Sequence, residues 1–421
     1  MIEADAKESG DGSWQWVAGA VAFVLAAAIV AGLVFIRQRG SAQPAASGHQ
    51  IGVLSMTAQL DFHCALPVQG YATQARVSMP DGGVTADHVQ LPAKGTVNTP
   101  GSSYAGGKWL PVPFAWVSSD ARSYAYVAST TGVPGQPPTA TLYVRDVARN
   151  ADRQLWSASG YAQMIGWGSG GVYVGRQGIP GGPVGPTTEL WVVDPANPGG
   201  AHRVGPNPSQ PAASPGDSAL PSIRAGMRIA GGAAWTVSFG VPQKVAPSAG
   251  AGIEIPPSMV IRMDLKDGSV SSWFTAPDAT SVSIAAIDQQ GRPVVIVTAI
   301  PKVVPQPVAP SAVPYTPFFP PPRVLLLTGP NQFVEIASGS DPAFRPITAS
   351  GDSHGVWFTS PGSLWIYRQG TLVKVADVPA DLFPLPPPPS NVASPPPNVM
   401  KASPPPGVPT GVTLMLAGPC R

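Results

Sequence analysis

The sequence predicts an all-β chain built from repeated small antiparallel sheets and preceded by one membrane-spanning helix, and three observations carry that prediction. Short apolar-aromatic runs of about 4 to 6 residues recur between Gly, Pro, Asn and Asp turns. The same layout of runs returns along residues 114–376. One uncharged run, Val17 to Ile36, stands apart near the amino end.

Composition narrows the classes. Charged residues are 11% of the 421, against roughly 25% in an average soluble domain, which argues against a solvated helical protein or a disordered acidic chain. Gly and Pro contribute 47 and 53 residues, enough to punctuate many turns. The net charge of +2 is spread without runs of one sign. Such a chain has no electrostatic footprint for nucleic acid.

Residues 1–13 carry Glu3, Asp5, Glu8 and Asp11 against Lys7 and read as a short disordered tail. Residues 14–37 read as a transmembrane helix, because the 20 uncharged residues from Val17 to Ile36 reach about 30 Å at 1.5 Å per residue, the thickness of a hydrocarbon core. Trp14 and Trp16 mark one interface, and Arg37 and Arg39 the other. A cleaved signal peptide expects a basic start and a shorter apolar core; this start is acidic. Ala28 and Gly32 have the spacing that lets two helices approach, although small residues are common in such spans.

Orientation sets two rules against each other. The two arginines would hold the downstream part in the cytoplasm, but long domains translocate largely regardless of flanking charge. That part has only two cysteines and is rich in Pro, Ser, Thr and Gly, as secreted bacterial domains often are. The expectation is a single-pass protein of the cell membrane with its C-terminal domain extracytoplasmic. Residues 38–60 read as a spacer and 61–421 as the folded domain.

The repeats follow in order. Ala75 to Val84 is a first hairpin, turning at Asp81-Gly82. The clearest repeat runs from Phe114 to Trp156, with strands expected to end at Asp120, then at Tyr124–Val127, Thr141–Val147 and Arg153–Trp156. A second has strands around Met164–Trp167, Gly171–Gly175, Glu189–Asp194 and Ala201–Val204. A third shows Ala233–Val237, Met259–Asp264 and Ser269–Phe274. The fourth is Val282–Ile287, Val294–Val297, Val324–Leu327 and Phe333–Ile336, and the fifth Gly355–Thr359, Ser363–Tyr367 and Leu372–Val375. Repeat spacings of about 40 to 70 residues suit four-stranded propeller blades with variable loops better than any helical repeat. The proline-rich segments 301–322 and 384–409 cannot be ladder strands, since proline lacks the N–H donor, and read as extended insertions.

A last strand, Gly411 to Cys420, has no partner nearby in sequence. A propeller closes when strands from both termini share a blade. That closure pairs this strand with the first hairpin and predicts a Cys64–Cys420 disulfide as a clamp, in a propeller of about six four-stranded blades; five or seven would also fit the looser repeats.

Val117-Ser118-Ser119-Asp120-Ala121-Arg122-Ser123-Tyr124-Ala125-Tyr126 resembles the TolB-type, WD-repeat-like propeller repeat, an apolar residue, Ser-Pro-Asp-Gly, a short gap and an apolar-aromatic strand, with Ser119 in place of Pro and Ala121 in place of Gly. Leu142–Asp146 and Leu155-Trp156 fit the same repeat. The arrangement is similar to uncharacterised bacterial proteins with one anchor helix and a propeller. The resemblance implies a fold used as a binding platform, or as the non-catalytic half of hydrolases.

Candidate chemistry is sparse. Gly351-Asp352-Ser353-His354-Gly355 has the G-x-S-x-G spelling of a nucleophile elbow, but that motif needs a helix after the serine, and Val356-Trp357-Phe358-Thr359 reads as a strand. The five histidines, His49, His63, His88, His202 and His354, lack metal-ligand spacing. No catalytic, cofactor-binding or metal residue is assigned. Nine tryptophans, from Trp109 to Trp365, fall on or beside strands and are expected to fill the space between blades. The functional expectation is an extracytoplasmic binding or protein-interaction module, anchored by its N-terminal helix, with an envelope protein or glycan as partner. The alternative is a glycan- or peptide-hydrolysing propeller whose acid and base come from carboxylates such as Asp120, Asp194 and Asp264.

Overall fold

The computed structural model describes residues 48–70, 73–87, 101–130, 138–177, 188–204, 227–239, 258–278, 280–299, 322–338, 344–379, 381–383 and 414–421. The expected tail, the expected transmembrane helix 14–37 and nearly all of the two proline-rich insertions lie outside them. Among the described residues no helix is long and apolar enough to cross a membrane.

The described chain is all-β, in small antiparallel sheets that follow one another in sequence. The first sheet has the order Met415–Leu416, Cys64–Gln69, Gln74–Met79, Gly83–Ala86, His49–Val53. The second holds Ser123–Thr130, Thr139–Asp146 and Ala151–Ser159, with Val117 bridged to Tyr124 as a vestigial inner strand. The third runs Tyr161–Gly168, Gly171–Gln177, Thr188–Val193, His202–Val204, and the fourth Arg228–Ala230, Ala233–Phe239, Ser258–Asp264, Val270–Thr275. The fifth is Thr280–Ile287, Pro293–Ala299, Arg323–Gly329, Gln332–Ala337. The sixth is Thr348–Asp352, Gly355–Ser360, Ser363–Arg368, Thr371–Asp377, with Ser55–Met56 added at its outer edge. A hairpin, Ser103–Ala105 with Lys108–Leu110, stands between the first and second sheets.

Buried clusters link each sheet to the next and the last to the first. Ala125, Leu142 and Val144 of the second sheet meet Val172 and Val174 of the third, and Tyr173 and Leu190 of the third meet Ala234 and Met263 of the fourth. Trp235 and Val260 then meet Val295 and Leu325, and Val324 and Leu326 meet Phe358 and Trp365. Trp357, Leu364 and Ile366 of the sixth sheet pack on Leu66, Val68 and Val77 of the first. The hairpin residues Ala105 and Leu110 complete the circuit against Tyr124 and Val117. Strands Gly355–Ser360 and Ser363–Arg368 are buried on both faces, which is why they read as unbroken apolar runs rather than as alternation.

The tryptophans are in these seams. Trp357, Trp235, Trp109 and Trp365 are buried, and Trp116, Trp156, Trp167 and Trp273 pack against the clusters.

The hairpin is held to the first sheet by a buried ion pair. Arg76 grips Asp87 through two hydrogen bonds of 2.8 Å, and the Trp109 indole N–H donates to the same carboxylate at 2.8 Å. Arg76 also lies over the Tyr104 ring, 5.2 Å from its centroid. Three donors to one buried carboxylate offset the cost of taking it out of water.

Closure uses both termini. Met415 and Leu416 pair with Gln69 and Val68, and Arg421 exchanges backbone hydrogen bonds with Ala65. Cys64 and Cys420 are disulfide-bonded, with Cα atoms 5.4 Å apart at a sequence separation of 356. In the other sheets a turn of the chain joins the first strand to the second at this end. In the first sheet the disulfide takes that turn's place.

Three readings change. Phe114–Trp116, expected in a strand, is a 3-10 turn, because Pro113 before it and the Ser118–Asp120 turn after it leave no room for a ladder. The expected spacer 38–60 carries strands from His49 onward; His49–Val53 is a largely exposed edge strand, so it lacks the apolar alternation that marks a buried one. The first strands of the fourth and sixth sheets, Arg228–Ala230 and Thr348–Asp352, are short or rich in small polar residues and gave no apolar signal.

Because successive strands alternate direction, first-to-second and third-to-fourth turns share one end of every sheet. Those turns go down to the two residues Ser353-His354 between Asp352 and Gly355, and apart from the eight residues between Val193 and His202 they are short. Gly48 and the ends flanking 131–137, 178–187, 240–257, 300–321 and 384–413 lie at the opposite end.

Candidate functional site

On the short-turn end, a cleft of about 560 Å³ opens between the fifth and sixth sheets. Its walls are the turns Asp288–Arg292 and Asp352–Gly355, the strand end Tyr367–Gly370, and Asp61-Phe62 from the segment that leads into the first sheet.

Two of these walls are turns stapled by an aspartate. Asp288 accepts hydrogen bonds from the backbone N–H groups of Gln290 (3.0 Å) and Arg292 (2.8 Å), and its other oxygen takes the Arg292 side chain at 2.8 Å. Asp352 accepts from the N–H of His354 at 2.8 Å. Its second oxygen accepts from the Trp357 indole at 2.9 Å and the Cys420 N–H at 2.8 Å. Gly351 lets the sheets come this close, since a Cβ there would sit 2.1 Å from the Ile287 carbonyl oxygen. At the mouth the His354 imidazole stacks on Phe62, with centroids 4.2 Å apart and planes 11° from parallel. The Arg368 guanidinium lies 5.0 Å from the Phe62 centroid and is ion-paired to Asp61. That hydrogen bond holds the Asp61 carboxyl below the usual carboxylate range.

Both arginines are answered by carboxylates, so the cleft presents amides, a flat His-Phe surface and compensated charge. Ser353 is exposed in its turn, the neighbouring imidazole is committed to Phe62, and a strand, Gly355–Ser360, follows. A nucleophile elbow needs a base in hydrogen-bond reach and a helix after the serine. Among the described residues no group of three or more His, Cys, Asp or Glu is placed to hold a metal.

The carboxylates considered for acid and base are turn staples as well. Asp120 accepts from the Ser118 hydroxyl and the Arg122 N–H, Asp194 from the Ala196 N–H and Asp264 from the Lys266 N–H. The Ser118 hydrogen bond, then the Arg122 N–H, lowers the Asp120 pKa. They belong to three different turns, and none lines the cleft. Sequence reading missed Asp61, Phe62, Asp288, Arg292 and Arg368. One signal was there, since Asp288-Gln289-Gln290-Gly291-Arg292 is an aspartate-opened turn like the one at Asp120.

A second aromatic cluster lies on the second sheet, where Tyr126 stacks on Tyr143 with centroids 5.4 Å apart. Burial, reinforced by the Asp152 carboxylate, pushes the Tyr126 phenol up to about 12. An elevated phenol favours the folded state below the unfolded value of about 10, and that contribution is lost as pH rises from about 10 to about 12. Tyrosinate absorbance is expected to show a late-titrating group that disappears in Tyr126→Phe, and the variant should lose less stability than the parent over that interval. Identical titration curves for the two chains would exclude it.

No family model matches the chain, and no curated protein matches it in sequence. Among solved structures it is similar to TolB from Acinetobacter baumannii, at 13% identity and a TM-score of 0.32 over 76% of this chain and 65% of that one. It is similar to an acylaminoacyl peptidase of Pyrococcus horikoshii (12%, TM-score 0.38, 77% of this chain and 48% of that one). An oligogalacturonate lyase in complex with manganese aligns at 12% with a TM-score of 0.41, over 80% of this chain and all of that one. The chain spans less than two thirds of the length of TolB and of the peptidase. Likenesses this distant, to propeller-type proteins with different activities, carry no function across.

Proposed function

We propose that this chain is a six-bladed β-propeller, anchored in the cell membrane by the single helix 14–37, that works outside the cytoplasm as a binding module without chemistry of its own. The carrying observation is the cleft, whose carboxylates are bound to backbone N–H groups, an indole or arginines, leaving a polar, preorganised surface for an envelope protein or glycan. Preorganised turns lower the ordering cost of binding. The sheet count supports six blades, with the first completed by the C-terminal strand. The disulfide supports an oxidising compartment. Gly48, where the described chain begins, lies at the end of the first sheet opposite the cleft.

The test uses the full-length chain in detergent, screened against purified envelope glycans and peptides by surface plasmon resonance. His354→Ala keeps the backbone N–H that Asp352 needs and removes the stacked ring, so bound partners should weaken by about tenfold, the scale of one aromatic contact. A partner bound equally by parent and variant would remove the cleft from the reading. Turnover of any screened glycan or peptide would replace the reading by the hydrolase.

A further inference from the structure

The cleft between the fifth and sixth sheets carries two sets of polar groups, and only one of them is free. Its charged groups are answered within the chain. Asp61 pairs with Arg368 and Asp288 with Arg292, while Asp352 accepts from the N–H groups of His354, Gly355 and Cys420 and from the Trp357 indole. The free set is neutral. Gln289, Gln290 and Gln369 line the cleft with exposed side chains, and their amides have no hydrogen-bond partner among the described residues.

Tyr367 belongs to the same free set. Its ring is packed in the seam between the two sheets, leaving the residue 9% exposed, and it lines the cleft. The hydroxyl has no partner among the described residues, yet it is not sealed away from solvent. A buried tyrosine ordinarily gives its hydroxyl a partner, so this one is left for a ligand in the cleft. Leu326, Val334 and Val356 add an apolar part to the lining, and Val334 is 43% exposed.

Every free group here both donates and accepts, and so does each hydroxyl of a sugar. The exposed Val334 offers a surface for the apolar C–H face of a sugar ring. A volume of about 560 Å³ lies within the range for ligands of drug size, which for a carbohydrate is about two or three rings. Three aspartates and two arginines line the cleft, an acidic balance that disfavours an anionic sugar. The walls are turns and strand ends, which offer no open ladder to an extended peptide and no unanswered charge to its termini. We infer that the cleft binds an uncharged oligosaccharide through the Tyr367 hydroxyl and the amides of Gln289, Gln290 and Gln369. The inference rests on the reading of the cleft as a binding site and names its ligand class.

Binding to the full-length chain is measured by isothermal titration calorimetry, in a zwitterionic detergent that carries no sugar headgroup. The probes are the neutral trisaccharides maltotriose, cellotriose, laminaritriose and mannotriose, with trigalacturonate as the acidic counterpart and uncharged tripeptides capped at both ends. At least one neutral trisaccharide should bind, with an affinity that high salt leaves unchanged, since no charge is neutralised. Tyr367→Phe keeps the packed ring and removes the hydroxyl, so that affinity should fall about tenfold while the urea midpoint stays at or above the parent's. Gln290→Ala, at an exposed position, should weaken the same sugar several-fold and serves if Tyr367→Phe does not fold. No bound neutral sugar, or one bound equally by the parent and both variants, overturns the inference. A tripeptide or trigalacturonate that binds in place of the neutral sugars and is weakened by these variants overturns the ligand class and leaves the cleft a binding site. A neutral sugar that is bound and then cleaved keeps the ligand class and replaces the binding module by the hydrolase.

Discussion

Serine at both Cys64 and Cys420 will destabilise the folded chain by on the order of 5 kcal/mol, a fall of about 10 °C in Tm. The size comes from the loop: the bond spans 356 residues, and in the chain-entropy treatment the constraint on the unfolded state grows with the logarithm of that length. The backbone also joins the last sheet to the first, through Leu54 between His49–Val53 and Ser55–Met56. Without the bond, closure rests on the two-residue pairing of Met415 and Leu416, the outer strand Ser55–Met56 and the buried Leu414, Ala417 and Cys420. Thermal unfolding of the full chain with and without reductant checks this, using the double serine variant as the reductant-insensitive control. Equal midpoints for oxidised and reduced parent would end the clamp as a stability device, and hydrogen exchange at 415–421 should rise first when the bond is cut.

What could be read from the sequence depended on whether a side chain's role is local. Strands such as Val324–Leu327 and Val294–Val297 were legible because buried sheet faces demand β-branched and aliphatic residues wherever they sit. The closing strand was legible by a different route, because Gly411 to Cys420 had a strand's composition and no neighbour to pair with. Edge strands were not: His49–Val53 is only half covered, so physics places little constraint on its residues. The cleft was hidden for a third reason. Asp61, Asp288 and Arg368 lie up to 307 residues apart in pairs that touch, and each is unremarkable in its own window. The aspartate turns were visible one at a time, yet which of them would lean on a buried partner is decided only when the ring closes.

Asp352 is the turn that does so, and its removal should cost about 4 kcal/mol while loss of an ordinary staple costs about 1 kcal/mol. Asp194 and Asp264 serve exposed turns through the N–H groups of Ala196 and Lys266, donors that water can take over. Asp352 holds its own turn with one oxygen and, with the other, the indole of the fully buried Trp357 and the N–H of the buried Cys420. Alanine there takes the acceptor from two donors on buried residues, each loss costing about 1–3 kcal/mol. Asparagine should recover little, because only one of its two terminal atoms accepts hydrogen bonds. Urea unfolding of Asp352→Ala and Asp352→Asn beside Asp194→Ala provides the comparison. A loss in Asp352→Ala no larger than in Asp194→Ala would mean that the carboxylate does not tie the sixth sheet to the C-terminal segment. The larger loss would mean that one side chain lines the cleft and secures the seam, so that opening the ring and deforming the cleft are the same event.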